Sequence, residues 1–154
     1  MDKYPGLYIH IPFCIKKCLY CDFTSYTKCD ELFDSYIDAI INEASQYTGL
    51  TAETVFIGGG TPTILSPGQL NRLLSGIGKS ILLAPGTEFT TEANPKTLTG
   101  EKCRVLTENG VNRISIGVQS FSDKELKFLG RIHDSECAKI TIDLASKYFL
   151  RASW

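Results

Sequence analysis

Residues 54–69 read Thr-Val-Phe-Ile-Gly-Gly-Gly-Thr-Pro-Thr-Ile-Leu-Ser-Pro-Gly-Gln, and they hold one complete strand-to-helix transition. Thr54–Ile57 is a short run of β-branched and aromatic residues, halted by Gly58, Gly59 and Gly60. Ser66 then stands as an N-cap, Pro67 at the first helical position and Gln69 at the third, where its amide can return to the cap. Glycines at the carboxyl end of a strand let the backbone approach a ligand closely, and they equally serve a sharp turn. The run is no phosphate loop, because no Gly-Lys-Ser/Thr follows and G-x-G-x-x-G is absent.

The same transition recurs on both sides. Upstream, Gly6–Ile11 reads as a buried strand, a cysteine-bearing loop follows, and residues 31–47 carry Phe33, Tyr36, Ile37, Ile40, Ala44 and Tyr47 at helical spacing. Downstream, Glu88–Thr91 is a third strand and residues 99–109 a helix whose Asn109-Gly110 end suits a C-cap. Val111–Val118 is a fourth strand. Ser122-Asp123-Lys124-Glu125 forms a capping box for a short helix, and residues 134–149 make another.

The order is β-α-β-α-β-α-β-α in one domain, with no repeat or linker. An α/β fold with a covered parallel sheet follows, either doubly wound or a barrel. Both place function on the loops after the carboxyl ends of the strands. The cysteine loop, the glycine run, Glu92-Ala93-Asn94-Pro95 and Gln119 all fall there.

Composition removes several classes. Sixteen Lys and Arg against seventeen Asp and Glu leave a formal charge of −1, so no basic excess points to nucleic acid. A hydrophobic content of 43% with eight Phe and seven Tyr is enough for a packed core. No apolar run reaches the ~18–20 residues of a membrane span. Met1–Pro5 lacks the layout of a secretory signal, so the expected location is cytoplasmic.

Six cysteines in such a chain argue for metal over disulfides. Cys14, Cys18 and Cys21 are spaced C-x-x-x-C-x-x-C. A structural zinc site would need a fourth ligand, for which Cys29 or His10 is available in the sequence. Three thiolates on a cubane iron–sulfur cluster would instead leave one iron open. Both readings stand on spacing. Cys103 and Cys137 fall on helix patterns as small core residues, and His10 and His133 read as structural histidines.

Tyr8–Cys14 and Cys18–Phe23 closely resemble the cluster segment of the radical S-adenosylmethionine (SAM) superfamily, and within it the HemN/HemW group of porphyrinogen oxidases and heme chaperones. Phe56–Thr63, Glu92–Pro95, Arg113–Phe121 and Leu129–His133 continue the resemblance in order, from about residue 6 to about 145. The resemblance implies that Cys14, Cys18 and Cys21 hold a [4Fe–4S] cluster whose free iron is chelated by SAM. It implies Tyr20 beside the adenine, Tyr8 near the cluster, Gly59, Gly60 and Thr61 beside the methionine part, and Glu92 on the same cofactor. Gln119 and Arg131 match residues that contact a second SAM in the oxidase. Singly, Glu92 and Arg131 could instead pair with each other, and Gln119 could cap the sheet.

Two departures bear on the branch. The oxidases carry another cysteine two residues after the triple, where this chain has Phe23, and a longer segment before the first strand. Both point to the heme-chaperone branch, with heme or a porphyrinogen, and a heme-accepting protein, as implied partners. The alternative is oxidative decarboxylation of a porphyrinogen, which would make the chain an enzyme. The group's barrel is an open (β/α)6 form, of which residues 1–154 would supply four β/α units, ending after the fourth helix. The chain thus reads as an N-terminal portion, with a fifth strand absent and strand four an unpaired edge.

Overall fold

A computed structural model describes residues 4–154, so Met1–Lys3 of the stretch read for a secretory signal lie outside the described residues. Five strands alternate with helices: β1 (Gly6–Ile11), α1 (Phe33–Ser45), β2 (Thr51–Gly59), α2 (Pro67–Gly78), β3 (Leu82–Ala93), α3 (Gly100–Glu108), β4 (Arg113–Ile116), α4 (Asp123–Phe128), α5 (Ser135–Ser146) and β5 (Arg151–Ser153).

Every pairing is parallel and the strands lie in chain order, β1-β2-β3-β4-β5. That order decides between the two architectures. A doubly wound sheet reverses direction partway, whereas right-handed crossovers that always step the same way put every helix on one face. The other face is then the interior of a barrel. Side chains follow: Ile9, Ile11, Val55, Ile57, Phe89, Ile114 and Ile116 are buried toward Ile37, Leu70, Leu73, Leu74, Cys103 and Leu106 of the helices. The opposite inner row holds Tyr8, Phe56, Thr90, Arg113 and Arg151, and beyond it His10, Gly58, Glu92, Ser115 and Ser153.

Capping chemistry sets the helix starts. Ser66 accepts from Gln69 N at 3.2 Å while the Gln69 amide returns to Ser66 N at 3.0 Å, closing the capping box. Thr99 and Asp134 cap α3 and α5. At α4 only half the box forms: Ser122 accepts from Glu125 N, but the Glu125 carboxylate turns to the Ser120 hydroxyl.

Three further expectations change. The fifth strand exists: Arg151, Ala152 and Ser153 pair with Arg113, Ile114 and Ser115, so β4 is not an edge. Buried Phe149 anchors the approach, and Arg113 reaches across to Ser153 Oγ at 3.2 Å. Strand β3 begins at Leu82, its two pairings with β2 joined by a register shift at Ala52/Thr54. Opposite that shift lie Pro85 and Gly86, the latter at φ +80°, and Thr87 Oγ1 donates to the Ala84 and Ala52 carbonyls there. Cys103 is a core residue, whereas Cys137 is only half-buried near the start of α5, outside the core.

Candidate functional site

A cavity of about 410 Å³ opens at the carboxyl ends of the strands. Cys14, Cys18, Cys21, Tyr20, Gly59, Gly60, Thr61, Glu92, Gln119 and Arg131 all line it. Ten of the eleven residues singled out from sequence therefore share one space.

The cysteine loop leaves β1 and is closed at its base. Cys14 N donates to Tyr26 O at 2.9 Å and Tyr26 N to Pro12 O at 2.6 Å. Phe13 is buried beneath it against Phe33 and Tyr36, ring centroids 4.6 and 5.2 Å apart. The glycine run is held against the same base: Gly60 N donates to Ile11 O at 2.8 Å and Thr61 N to Phe13 O at 2.7 Å. A Cβ at Gly60 would lie 2.6 Å from the Phe13 carbonyl oxygen, so the two loops approach at backbone distance. Thr61 Oγ1 consequently sits 3.6 Å from Cys14 Sγ.

Gly59, at φ +109°, occupies a left-handed conformation, and a side chain there would land on the His10 ring. Its amide donates to Glu92 Oε2 at 3.1 Å. Burial pushes the Glu92 carboxyl above its ordinary range, and the Gly59 N–H and His10 partly oppose that rise. On the far side, Arg131 donates to Cys18 Sγ at 3.2 Å, to Tyr20 Oη at 3.3 Å and to the Gly117 carbonyl. Arg131 therefore faces the cysteine loop; among the described residues it makes no ion pair with Glu92. Gln119 is held at φ +70°, rare for a residue with a side chain, and its amide lies over Gly117.

Tyr8 is the exception. It lines a separate, mostly apolar cleft of about 440 Å³ between β1 and α1, and its hydroxyl bonds to His10 Nδ1 at 2.8 Å. Burial and then the Glu92 charge raise its phenol pKa. Tyr8 does not line the cysteine cavity; its hydroxyl is held by His10, whose ring lies beside Gly59. Sequence reading missed Asn94, Ser115 and Trp154 as lining residues. Ser115 was recoverable, since it is the strand neighbour of Glu92 on the same face. Trp154 was not, because it depends on β5.

The two metal readings differ in the ligands they need. Cys29 Sγ packs on the core near Thr27 O, and His10 Nε2 lies 3.2 Å from Thr24 O while Nδ1 holds Tyr8, so neither is a free fourth ligand. Among the described residues, no three Cys, His, Asp or Glu side chains converge on one ion. Three thiols around one cavity, with glycine backbone on its wall, fit the cluster.

The sequence matches the radical SAM superfamily over residues 8–154. It is 45% identical over 99% of its length to the heme chaperone HemW of Escherichia coli K12, and covers 42% of that protein. The Lactococcus lactis heme chaperone HemW is 44% identical over 86% of this chain and 35% of its own. Among solved structures, the coproporphyrinogen III oxidase HemN of Escherichia coli, a radical SAM enzyme, superposes with a TM-score of 0.83 at 29% identity. That match covers 96% of this chain and 35% of the oxidase. The chain spans about two fifths of the length of the curated relatives it matches. It belongs to the radical SAM superfamily, and its likeness within it is to the HemN/HemW group.

Proposed function

We propose that this radical SAM chain carries the cluster and SAM site of a HemW-like heme chaperone, a cytoplasmic protein that binds heme and passes it to an acceptor protein. One observation carries the reading: the three thiols share a single cavity with Gly59, Gly60, Thr61, Glu92 and Gln119, from four separate strand ends. Cys14, Cys18 and Cys21 would hold a [4Fe–4S] cluster, which when bound supplies an open iron for SAM and an electron for cleaving it.

The chain's own residues do the positioning. Gly59 and Gly60 line the cavity with backbone at positions where a side chain would collide with the His10 ring or the Phe13 backbone, a close-packed wall suiting the methionine end of SAM. Glu92, half-buried and already taking the Gly59 amide, presents a carboxylate to the cofactor's ammonium. Tyr20 offers a ring beside the cluster loop for the adenine. The aromatic part of the wall, Phe23 and Trp154, suits a flat hydrophobic ligand such as heme.

The decisive experiment is anaerobic reconstitution followed by heme titration and by incubation with a porphyrinogen, SAM and reductant. The reading expects about four irons and four sulfides per chain, lost in Cys14→Ala, Cys18→Ala or Cys21→Ala, with heme bound and no vinyl product. Vinyl formation would transfer the assignment to a porphyrinogen decarboxylase. A single zinc per chain without charge-transfer absorption would end it.

A further inference from the structure

The base hydrogen bonds at Pro12, Cys14 and Tyr26 anchor the cysteine loop only at its ends. Cys18 and Cys21 lie in its irregular middle, where nothing in residues 15–25 belongs to a helix or strand. A second anchor comes from more than a hundred residues away. Leu19 N donates to Leu129 O at 3.2 Å, and Gly130, at φ +73°, leaves the Leu19 side chain room: a Cβ there would meet Leu19 Cγ at 3.0 Å. Next in sequence, Arg131 spends one guanidinium nitrogen on Cys18 Sγ and Tyr20 Oη and the other on the Gly117 carbonyl, just past β4. The segment is itself fixed at the end of α4, Gly130 N to Lys127 O at 3.1 Å and Arg131 N to Leu126 O at 2.9 Å.

We propose that Leu129–Arg131 is a clasp that holds the middle of the cysteine loop against the sheet, with Arg131 the positioning residue for the Cys18 sulfur. The role at the sulfur rests on the reading that the three cysteines hold a cluster; the clasp does not. Arg131 Nε is buried without a partner, so the guanidinium is oriented by its two outer nitrogens alone. A planar fork is needed to span a sulfur, a phenol and a carbonyl at once, which a lysine cannot do. A positive group hydrogen-bonded to a ligating sulfur also favours the more reduced cluster, so its removal moves the potential to a more negative value.

The test compares wild type, Arg131→Met and Arg131→Lys. Amide hydrogen exchange is followed first on the chain without its cluster. The clasp predicts exchange in residues 15–25 faster by roughly tenfold or more in both variants, the loss of charge-assisted bonds, with α2 and β2 unchanged. Should Arg131→Met lose protection in α2, Arg131→Lys decides by the same criterion. After reconstitution, Arg131→Met should show a more negative cluster potential and altered EPR g-values, with Arg131→Lys closer to wild type. Unchanged exchange in residues 15–25 overturns the clasp, even if SAM affinity falls, since that pattern belongs to a ligand contact. Faster exchange with an unchanged potential overturns the role at Cys18. A wild-type chain that takes up no iron but exchanges as predicted refutes the cluster reading and leaves the clasp standing.

Discussion

The Gly59 amide donates to Glu92 Oε2 across 3.1 Å, binding the loop after β2 to the end of β3. The bond needs Gly59 at φ +109°, and it takes up one oxygen of a carboxylate whose pKa burial raises.

Glu92→Gln keeps an acceptor for Gly59 and removes the charge. SAM affinity of the reconstituted chain should fall by about tenfold or more, the worth of a charge-assisted contact to an ammonium. The raised pKa also fixes a sign. Folded Glu92 holds its proton to higher pH than the unfolded carboxyl, so wild-type stability declines as pH rises above about 4.5 toward the folded value. Glu92→Gln lacks that decline, and its Tm relative to wild type should improve between pH 4 and pH 7. Parallel Tm curves would contradict the raised pKa.

Gly60→Ala tests the close approach of the two loops. Its Cβ would press on backbone, the Phe13 carbonyl at 2.6 Å and the Phe13 amide at 2.8 Å, which cannot rotate away. Destabilisation of about 1–3 kcal/mol should follow, with weaker iron retention because Phe13 adjoins Cys14. Gly68→Ala, in the first turn of α2 with nothing within 4 Å of its Cβ, should instead stabilise by up to about 1 kcal/mol. Urea denaturation of both variants reads the contrast.

His133 gives a dependence of opposite sign. Its Nε2–H donates to the Val118 carbonyl at 3.1 Å, while Nδ1 is buried with no partner. Burial is the main cause lowering its pKa below 6.5, so in the window between the folded value and about 6.5 the unfolded chain binds the extra proton. Stability should therefore fall as pH drops through about 6.5, and His133→Gln should remove that component. Urea midpoints of the two proteins at pH 7.5 and 5.5 give the difference directly; an identical pH response would refute the assignment.

These sites differ in how far sequence alone could reach them. The Ser66 capping box, the Asn109-Gly110 helix end and the glycine run are local, and neighbouring residues determine them. Nine of the ten residues on the cavity lie at strand ends or on the loops after them, which parallel β/α folds bring together into one rim. Tyr8, named through the resemblance alone, lies two residues before His10, and the His10 ring stands beside Gly59. Arg131 was visible in its motif, yet its contact with Cys18 is purely tertiary. Strand β5 left no signal, since Arg151-Ala152-Ser153 has neither apolar alternation nor β-branched residues. Its conformation is imposed by the free edge of β4.

That imposed strand supports the last prediction. Arg151–Ser153 completes the ladder on Arg113–Ser115, and Arg113 spans the inner face from Thr90 Oγ1 at 3.3 Å to Ser153 Oγ at 3.2 Å. Ending the chain after Phe149 keeps the buried anchor but removes those contacts, together with the Trp154 wall of the cavity. A few ladder bonds at about 0.5–1.5 kcal/mol each amount to roughly 2–4 kcal/mol. The uncovered backbone of β4 is then a template for another chain, so the shortened protein should associate in a concentration-dependent way. Light scattering across a dilution series, with urea denaturation at the lowest concentration, reads both effects. A shortened chain that stays monomeric with unchanged stability would show that β5 merely follows β4 and contributes nothing to the sheet.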